Sequence, residues 1–319
     1  MDKIPGVKGW GSDTRGAYAA PNGLYILIVN TLEYNNDVLV ETTRNGVTVY
    51  TGSLFRCCSD TAVVGEGYGR IILFETSGSI VGDNGFHEDG FSVPIWEPFT
   101  EIWGATAPAP GISLNVLKLA VTVTGSDIVL SHLRVRCGDS GRPDENTRSS
   151  IRVSSGTDIL VDHCSLTWGV DDCVGIWGTN IQDITFWNCM ITEGFDQTPD
   201  YLNHGYGMTS DESDNILAMQ CLFYGNRDRY PNLATQHGAI VNCLLQPPDG
   251  VVFCNDYIRM RDLGLECHWN VVGNLNQNSD NDEIALTDCT HADSTGYYYD
   301  NSCVAGDCNP APTDDTGDD

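Results

Sequence analysis

Between residues 127 and 243 one pattern of apolar and polar positions keeps returning. It reads Asp127-Ile128-Val129-Leu130-Ser131-His132-Leu133, then Asp158-Ile159-Leu160-Val161-Asp162-His163-Cys164, then Asp183-Ile184-Thr185-Phe186-Trp187-Asn188-Cys189, then Asn215-Ile216-Leu217-Ala218-Met219-Gln220-Cys221, with a shorter echo at Ile240-Val241-Asn242-Cys243. Each unit predicts a half-buried strand, a polar corner and a small residue where the apolar pattern resumes. The final residues Leu133, Cys164, Cys189, Cys221 and Cys243 are separated by 31, 25, 32 and 22 positions. A short strand repeating at 20 to 50 residues cannot bury its apolar face alone and has to stack on its neighbours, as in a solenoid or a propeller. No WD-type or kelch-type signature is present, so the solenoid is favoured.

With one unit per coil, equivalent residues lie about 4.8 Å apart up the stack. The thiols then form an internal column, with Cys164, Cys189 and Cys221 on successive coils. Beside it His132, His163, Asn188, Gln220 and Asn242 form a polar column, read as buried side chains that pass hydrogen bonds from rung to rung. On that reading His163 is a ladder residue rather than a catalytic one.

Upstream, residues 4–35 open with IPGVKGWGSDTRGAY, expected to be a cap whose glycines make tight turns before the strand Leu24-Tyr25-Ile26-Leu27-Ile28-Val29. Further strands are expected at Arg70–Phe74 and Ser79–Val81, and a proline-punctuated bend at 102–112. Residues 301–319 end in PAPTDDTGDD, too polar to pack alone. The expected organisation is one solenoid domain over 1–300, cap included, followed by an acidic tail or linker over 301–319.

Composition narrows the function. Lys+Arg 16 against Asp+Glu 44 gives a formal charge of -28, which argues against nucleic acid and anionic membranes as partners. No run of about 18 apolar residues exists to insert in a membrane. Met1-Asp2-Lys3 leads into Pro5 and Gly6 with no apolar signal core, so the expectation is that a signal was removed or that the chain leaves its cell by another route. Of the 13 cysteines, Cys57, Cys58, Cys289, Cys303 and Cys308 lie in polar, glycine-containing stretches where disulfides would staple loops. No paired Cys-x-x-Cys marks a zinc site.

The candidate chemistry follows from spacing. Asp171 and Asp172 lie 7 and 8 residues after Cys164, Asp196 lies 7 after Cys189, and Asp228 and Arg229 lie 7 and 8 after Cys221. Loops leaving equivalent corners at equivalent distances should share one face, and Asp139 and Asp144 could join them. Carboxylates so close repel one another, and an oxygen-ligated cation such as Ca²⁺ is the natural way to keep them ionised. The alternative is a solvated acidic face.

Seven motifs in order carry a resemblance: IPGVKGWGSDTRG at the start, TSGSI at 76–80, GATAPAPGISL at 104–114, LSHLRVRCGD at 130–139, VDHCSLTWGVDD at 161–172, HGYGM at 204–208 and NRDRYPNL at 226–233. The chain resembles the pectate lyases of polysaccharide lyase family 1 over roughly residues 4–300. The resemblance implies an all-β, right-handed parallel β-helix that cleaves an acidic polysaccharide by β-elimination, usually with calcium, outside the cell. Arg229-Tyr230-Pro231 matches the Arg-x-Pro motif whose arginine takes the proton α to the uronate carboxylate. That chemistry is demanding, because a free arginine holds its proton to beyond about pH 12.

Asp144, Asp171 and Asp172 are the implied metal ligands. His204 stands where relatives present a substrate-binding lysine, and Arg227 shares the loop of Arg229. The sequence departs from the pattern at Gly175, where a calcium-binding aspartate is expected, and at Asn232 and Ala234, where arginines are expected. Two readings remain: a secreted lyase, or a catalytically silent solenoid serving as a structural or glycan-binding part of a virion tail or extracellular filament, with self-assembly through its stacked ends.

Overall fold

The structure, a computed structural model, describes residues 4–34, 38–81, 93–115, 121–138, 149–195 and 204–246, and the backbone of short strands at 258–261, 268–272, 275–276, 284–287, 295–299 and 302–303. One turn of the chain shows the plan. Ile151–Val153 lies in a first sheet (C), Gly156–Asp162 in a second (A) and Ser165–Thr167 in a third (B), after which Asp172–Trp177 returns to sheet C beside Ile151–Val153. Repetition of that turn gives a right-handed parallel β-helix, the hand taken by crossovers between parallel strands.

The register holds one core residue above another. In sheet A the partners run Leu130, Val161, Phe186, Ala218 and Ile240. In sheet B they run Val135, Leu166, Ile191, Phe223 and Leu245, and in sheet C Ile151, Val174 and Met208. All are buried in one continuous core. Identical spacing on three sides makes each coil a lid for the last.

Sheet A is buried on both faces, which is why its strands read Ile-Val-Leu and Ile-Leu-Val instead of alternating cleanly. The cover is the N-terminal segment. It runs along the outside of the sheet rather than across the end of the helix, correcting the expected cap. Its short helical turns Trp10–Asp13 and Gly16–Ala19 pack on sheet A, and Val7 joins Leu160 and Trp187 in a small outer cluster. A Cβ on Gly11 would lie 2.1 Å from the Ile159 carbonyl oxygen, so glycine is required for this approach, and the Gly11 amide donates to Thr185 Oγ1 at 2.9 Å.

The corners explain the polar residues. His132, His163, Asn188, Gln220 and Asn242 all have positive φ, between 49° and 56°. So do Asp127, Asp158, Asp183 and Asn215 at the leading end of the same strands. Asn and Asp tolerate this left-handed conformation better than other side chains. Their amides carry the rung-to-rung bonds: His132 to Asp162 O, His163 to Trp187 O, Asn188 to Met219 O and Gln220 to Val241 O, at 2.9–3.1 Å. The polar column therefore lies outside the core, with both histidine side chains 46% exposed. Backbone conformation, more than side-chain bonding, selects these residues.

The thiol column is inward as expected. Cys164, Cys189, Cys221 and Cys243 are buried, and the carbonyls of the first three accept from Met190, Leu222 and Leu244 on the next coil. Burial pushes the Cys164 thiol up to about 12. Cys57 and Cys58 correct the disulfide expectation. They sit on the helix Leu54–Ser59, which Ser53 caps, and face the core as free buried thiols. Cys289, Cys308 and residues 304–319 lie outside the described residues, while the backbone of Ser302–Cys303 forms a short strand beside Leu275–Asn276. A hairpin pairs Val40–Arg44 with Val47–Gly52 through Asn45-Gly46, both at positive φ as a two-residue hairpin turn needs.

The left-handed corner at Asn188, φ 51°, leads to a contrast between two substitutions. Asn188→Gly should change stability by less than about 1 kcal/mol, whereas Asn188→Val should cost about 1–2 kcal/mol or more, read from urea unfolding midpoints. Equal effects would mean that the corner conformation does not select the residue.

Candidate functional site

From Ile128 onward the turns from sheet A to sheet B are two residues long, against three (75–77) and eight (104–111) on the two preceding coils, and on these later coils the long connections return from sheet B to sheet C. Three of these meet on one face. The Tyr206 amide donates to Asp171 O at 2.8 Å, Gly207 to Asp228 O at 2.9 Å and Met208 to Arg229 O at 3.0 Å. Residues 171–172, 206–208 and 228–229 thus lie side by side on consecutive rungs. A Cβ on Gly207 would come 2.4 Å from the Arg229 carbonyl oxygen, so this approach needs glycine.

The loop carrying Arg229 is held from beneath. Tyr230 is fully buried and its hydroxyl donates to Asn226 O. Asn226, also buried, donates to Ile191 O at 2.8 Å and accepts from the Gly194 amide at 3.1 Å. Arg229 takes a left-handed backbone, φ 64°, and its amide donates to Asp228 Oδ1 at 2.7 Å. Its guanidinium donates to Asp172 Oδ1 at 2.7 Å and lies 4.0 Å over the Tyr206 ring. The arginine side chain is 25% exposed and the Asp172 side chain 0%. A buried carboxylate on one side and an aromatic face on the other direct the guanidinium.

Asp171 stands next to this pair. It is buried, and His204 Nδ1 lies 3.4 Å from its Oδ1. Burial raises its carboxyl above the ordinary range, against the opposing pull of Arg229 and His204. Burial likewise raises the Tyr206 phenol. Of the residues expected from sequence, Arg229, Asp171, Asp172 and His204 converge. Arg227 lies in the same loop, with its amide bonded to Gly205 O at 2.9 Å. Asp144, with Asp139 and Asp196, lies outside the described residues.

Sequence reading missed three features. Tyr206, within HGYGM, is the ring under Arg229. Trp168, within TWGVDD, is 42% exposed and meets Phe195 edge-on at 6.4 Å, an amphipathic platform of the kind that takes a sugar face. A row on sheet C sets Arg152, Gly175, Thr209 and Asn232 side by side. Thr209 Oγ1 and Asn232 Oδ1 there are buried without a hydrogen-bond partner.

The described residues do not form a complete calcium shell. Asp172 holds Arg229 and Asp171 faces His204, which leaves two engaged carboxylates where calcium takes six to eight oxygens. At Gly175 a Cβ would meet Ser149 Oγ at 2.8 Å, so no carboxylate fits there until Ser149 swings away.

The raised carboxyl of Asp171 sets a pH dependence. A group whose folded pKa lies above its unfolded value adds stability that is complete below the unfolded value and is lost as pH rises through the folded one. Asp171→Asn should therefore be at least as stable as wild type near pH 7 and should lack the gain that wild type shows on acidification through the carboxylate range. Urea midpoints of both proteins between about pH 4 and 7 check this, and a variant markedly weaker near neutrality contradicts it.

No family model matches the chain. It is 24% identical to a probable pectate lyase C of Emericella nidulans over 230 residues, which cover 72% of this chain and 44% of that protein. It is 24% identical to a probable pectate lyase C of Aspergillus flavus over 52% of this chain and 35% of that one. The chain therefore spans less than half the length of the curated relatives it matches. Among solved structures, the pectate lyase Bsp165PelA from Bacillus sp. N165, in complex with trigalacturonate, superposes with a TM-score of 0.59 at 11% identity over 94% of this chain and 87% of that one. Jun a 1, the major allergen from cedar pollen, gives 0.55 at 14% identity over 93% and 81%. The chain thus has the parallel β-helix fold of the solved pectate lyase and is similar in sequence to proteins named probable pectate lyase C.

Proposed function

We propose that this protein is a polysaccharide lyase that cleaves an acidic, polygalacturonate-like glycan by β-elimination outside the cell, its helix domain spanning residues 1–300 and an acidic tail 301–319. The observation that carries the reading is the convergence of Arg229, Asp172, Tyr206, Asp171 and His204 on three adjacent rungs. A chain at -28 repels a polyuronate over about 8–10 Å at ordinary ionic strength. Binding therefore needs local cations, and Arg229, Arg227 and Arg152 supply them on this face. The trigalacturonate bound by the Bacillus neighbour supports the substrate class.

In the reaction the proton α to the uronate carboxylate leaves C5, its electron pair forms the C4=C5 double bond, the C4–O bond breaks and the departing oxygen takes a proton. Arg229 is the proposed base, with Asp172 and Tyr206 fixing its direction. His204 and Arg227 are the proposed substrate contacts. Calcium, when bound, would acidify that proton by drawing charge from the carboxylate. Asp171 and Asp172, with Asp144, are the proposed ligands, and the substrate would have to supply further oxygens.

One observation favours a second reading, the silent glycan-binding solenoid. As placed, Arg229 is the counter-ion of a wholly buried carboxylate, and Ala234 is buried where the resemblance expects a second arginine. The two readings separate in one assay. Unsaturated-uronate absorbance should rise when the protein meets polygalacturonate with calcium. Arg229→Lys, which keeps the charge but loses the fork, should lower the rate by about 10²–10⁴-fold with melting unchanged. Retention on polygalacturonate without any double-bond formation would leave the binding solenoid.

A further inference from the structure

A second cluster lies at the corner between sheets A and B, away from the loops that carry Arg229. Its centre is Asp162, 1% exposed. His163 Nδ1 lies 2.7 Å from Asp162 Oδ1 and His132 Nδ1 lies 3.8 Å from Oδ2. Ser131 Oγ donates to Asp162 Oδ2 at 2.9 Å and lies 2.7 Å from His132 Nδ1. One ligand atom from each of His132, Asp162 and His163 falls within 4.8 Å of the other two, the one such group of three among the described residues.

Ladder structure alone does not call for this chemistry. The same corner position holds Asn188, Gln220 and Asn242 on later coils. The position of Asp162 is taken by Trp187, Met219 and Val241 along the register. Two imidazoles and a carboxylate are gathered only where Ser131 pairs with Asp162. The imidazole rings stack at 4.8 Å with an interplanar angle of 9°, one strand spacing apart. The left-handed corners and the bond from the His132 amide to Asp162 O, 3.0 Å, hold the backbones of both histidines beside the carboxylate and leave the exposed rings free to turn.

We propose that His132, His163 and Asp162 form a binding site for a borderline divalent transition metal of the zinc class, with Nδ1 of each imidazole and the Asp162 carboxylate as ligands and Ser131 as the hydrogen-bond support. Imidazole nitrogens select this class over calcium. Bonds of about 2.0–2.2 Å in a tetrahedral site place ligand atoms about 3.4 Å apart; rotation of the two exposed rings opens the 2.7 Å separation at His163 and closes the 3.8 Å separation at His132 to that value. Each ring coordinates as its neutral Nε2–H tautomer. The proton lying between His163 Nδ1 and Asp162 moves to the outer nitrogen, and the ion takes its place. The fourth position is left to water or to a donor from outside the chain, and the ion ties two successive coils together.

Calorimetric titration of the chelator-stripped full chain with ZnCl2 tests the site. Wild type should bind one equivalent. His163→Asn, which places a residue the ladder already uses at a left-handed corner, should weaken binding by at least about 100-fold, and Ser131→Ala by about 10-fold, the usual effect of losing a second-layer partner. Asp171→Asn and added CaCl2 should leave the zinc isotherm unchanged, which separates this site from the loops around Arg229. No stoichiometric zinc binding by wild type, or equal binding by the His132→Asn/His163→Asn double variant with its melting temperature intact, overturns the proposal.

Discussion

The constraint on which the molecule depends is that every coil must close in register with the one beneath it. A parallel ladder on three sides permits no slip, because a shift of one residue would turn the core column outward. The corner between sheets A and B meets this demand in two residues, the first in a left-handed conformation and the second a small or apolar side chain turned inward. With that corner two residues long from Ile128 onward, the long connections of these coils are the segments between sheets B and C. The candidate chemistry sits there because it is the side of the helix where loops can change without breaking the stack.

The repeat, the inward thiols and the shared face of Asp171, Asp172 and Arg229 were all legible in the sequence, since each follows from counting along a unit of fixed geometry. The double cover of sheet A was not. Leu160 and Leu217 look like ordinary outward positions until the segment around Gly9 and Gly11, some 150 to 200 residues away in sequence, is laid over them. The polar column was read for its side chains when its backbone chose it. A left-handed corner admits Asn, Asp and His whether or not their side chains meet. Cys57 and Cys58 misled through their polar neighbours, because the burial of a short capped helix depends on what packs above it.

At the site, residue types were readable and partnerships were not. Spacing brought Asp172 and Arg229 to one face, but nothing in the spacing says that Asp172 has no exposed surface or that Tyr206 lies beneath the guanidinium. These two contacts turn a surface charge into a directed one. Burying Asp172 is costly unless Arg229 stays with it, so the ion pair links the stability of two rungs to the geometry of the loop. Asp171 carries the opposite burden, an acid whose ionised form burial disfavours and which a bound cation would relieve. A protein with a net charge of -28 thus sets Arg229 among carboxylates on the face where three rungs meet.

Stacking of the coils couples Asp172 to Arg229. A double-mutant cycle on unfolding free energy, with Asp172→Asn, Arg229→Gln and the double variant, measures it directly. The account predicts a coupling of about 1–3 kcal/mol, as for residues in contact within one network, with the double variant less damaged than the sum of the single changes. Additive effects within about 0.3–0.5 kcal/mol, the behaviour of independent sites, would contradict it.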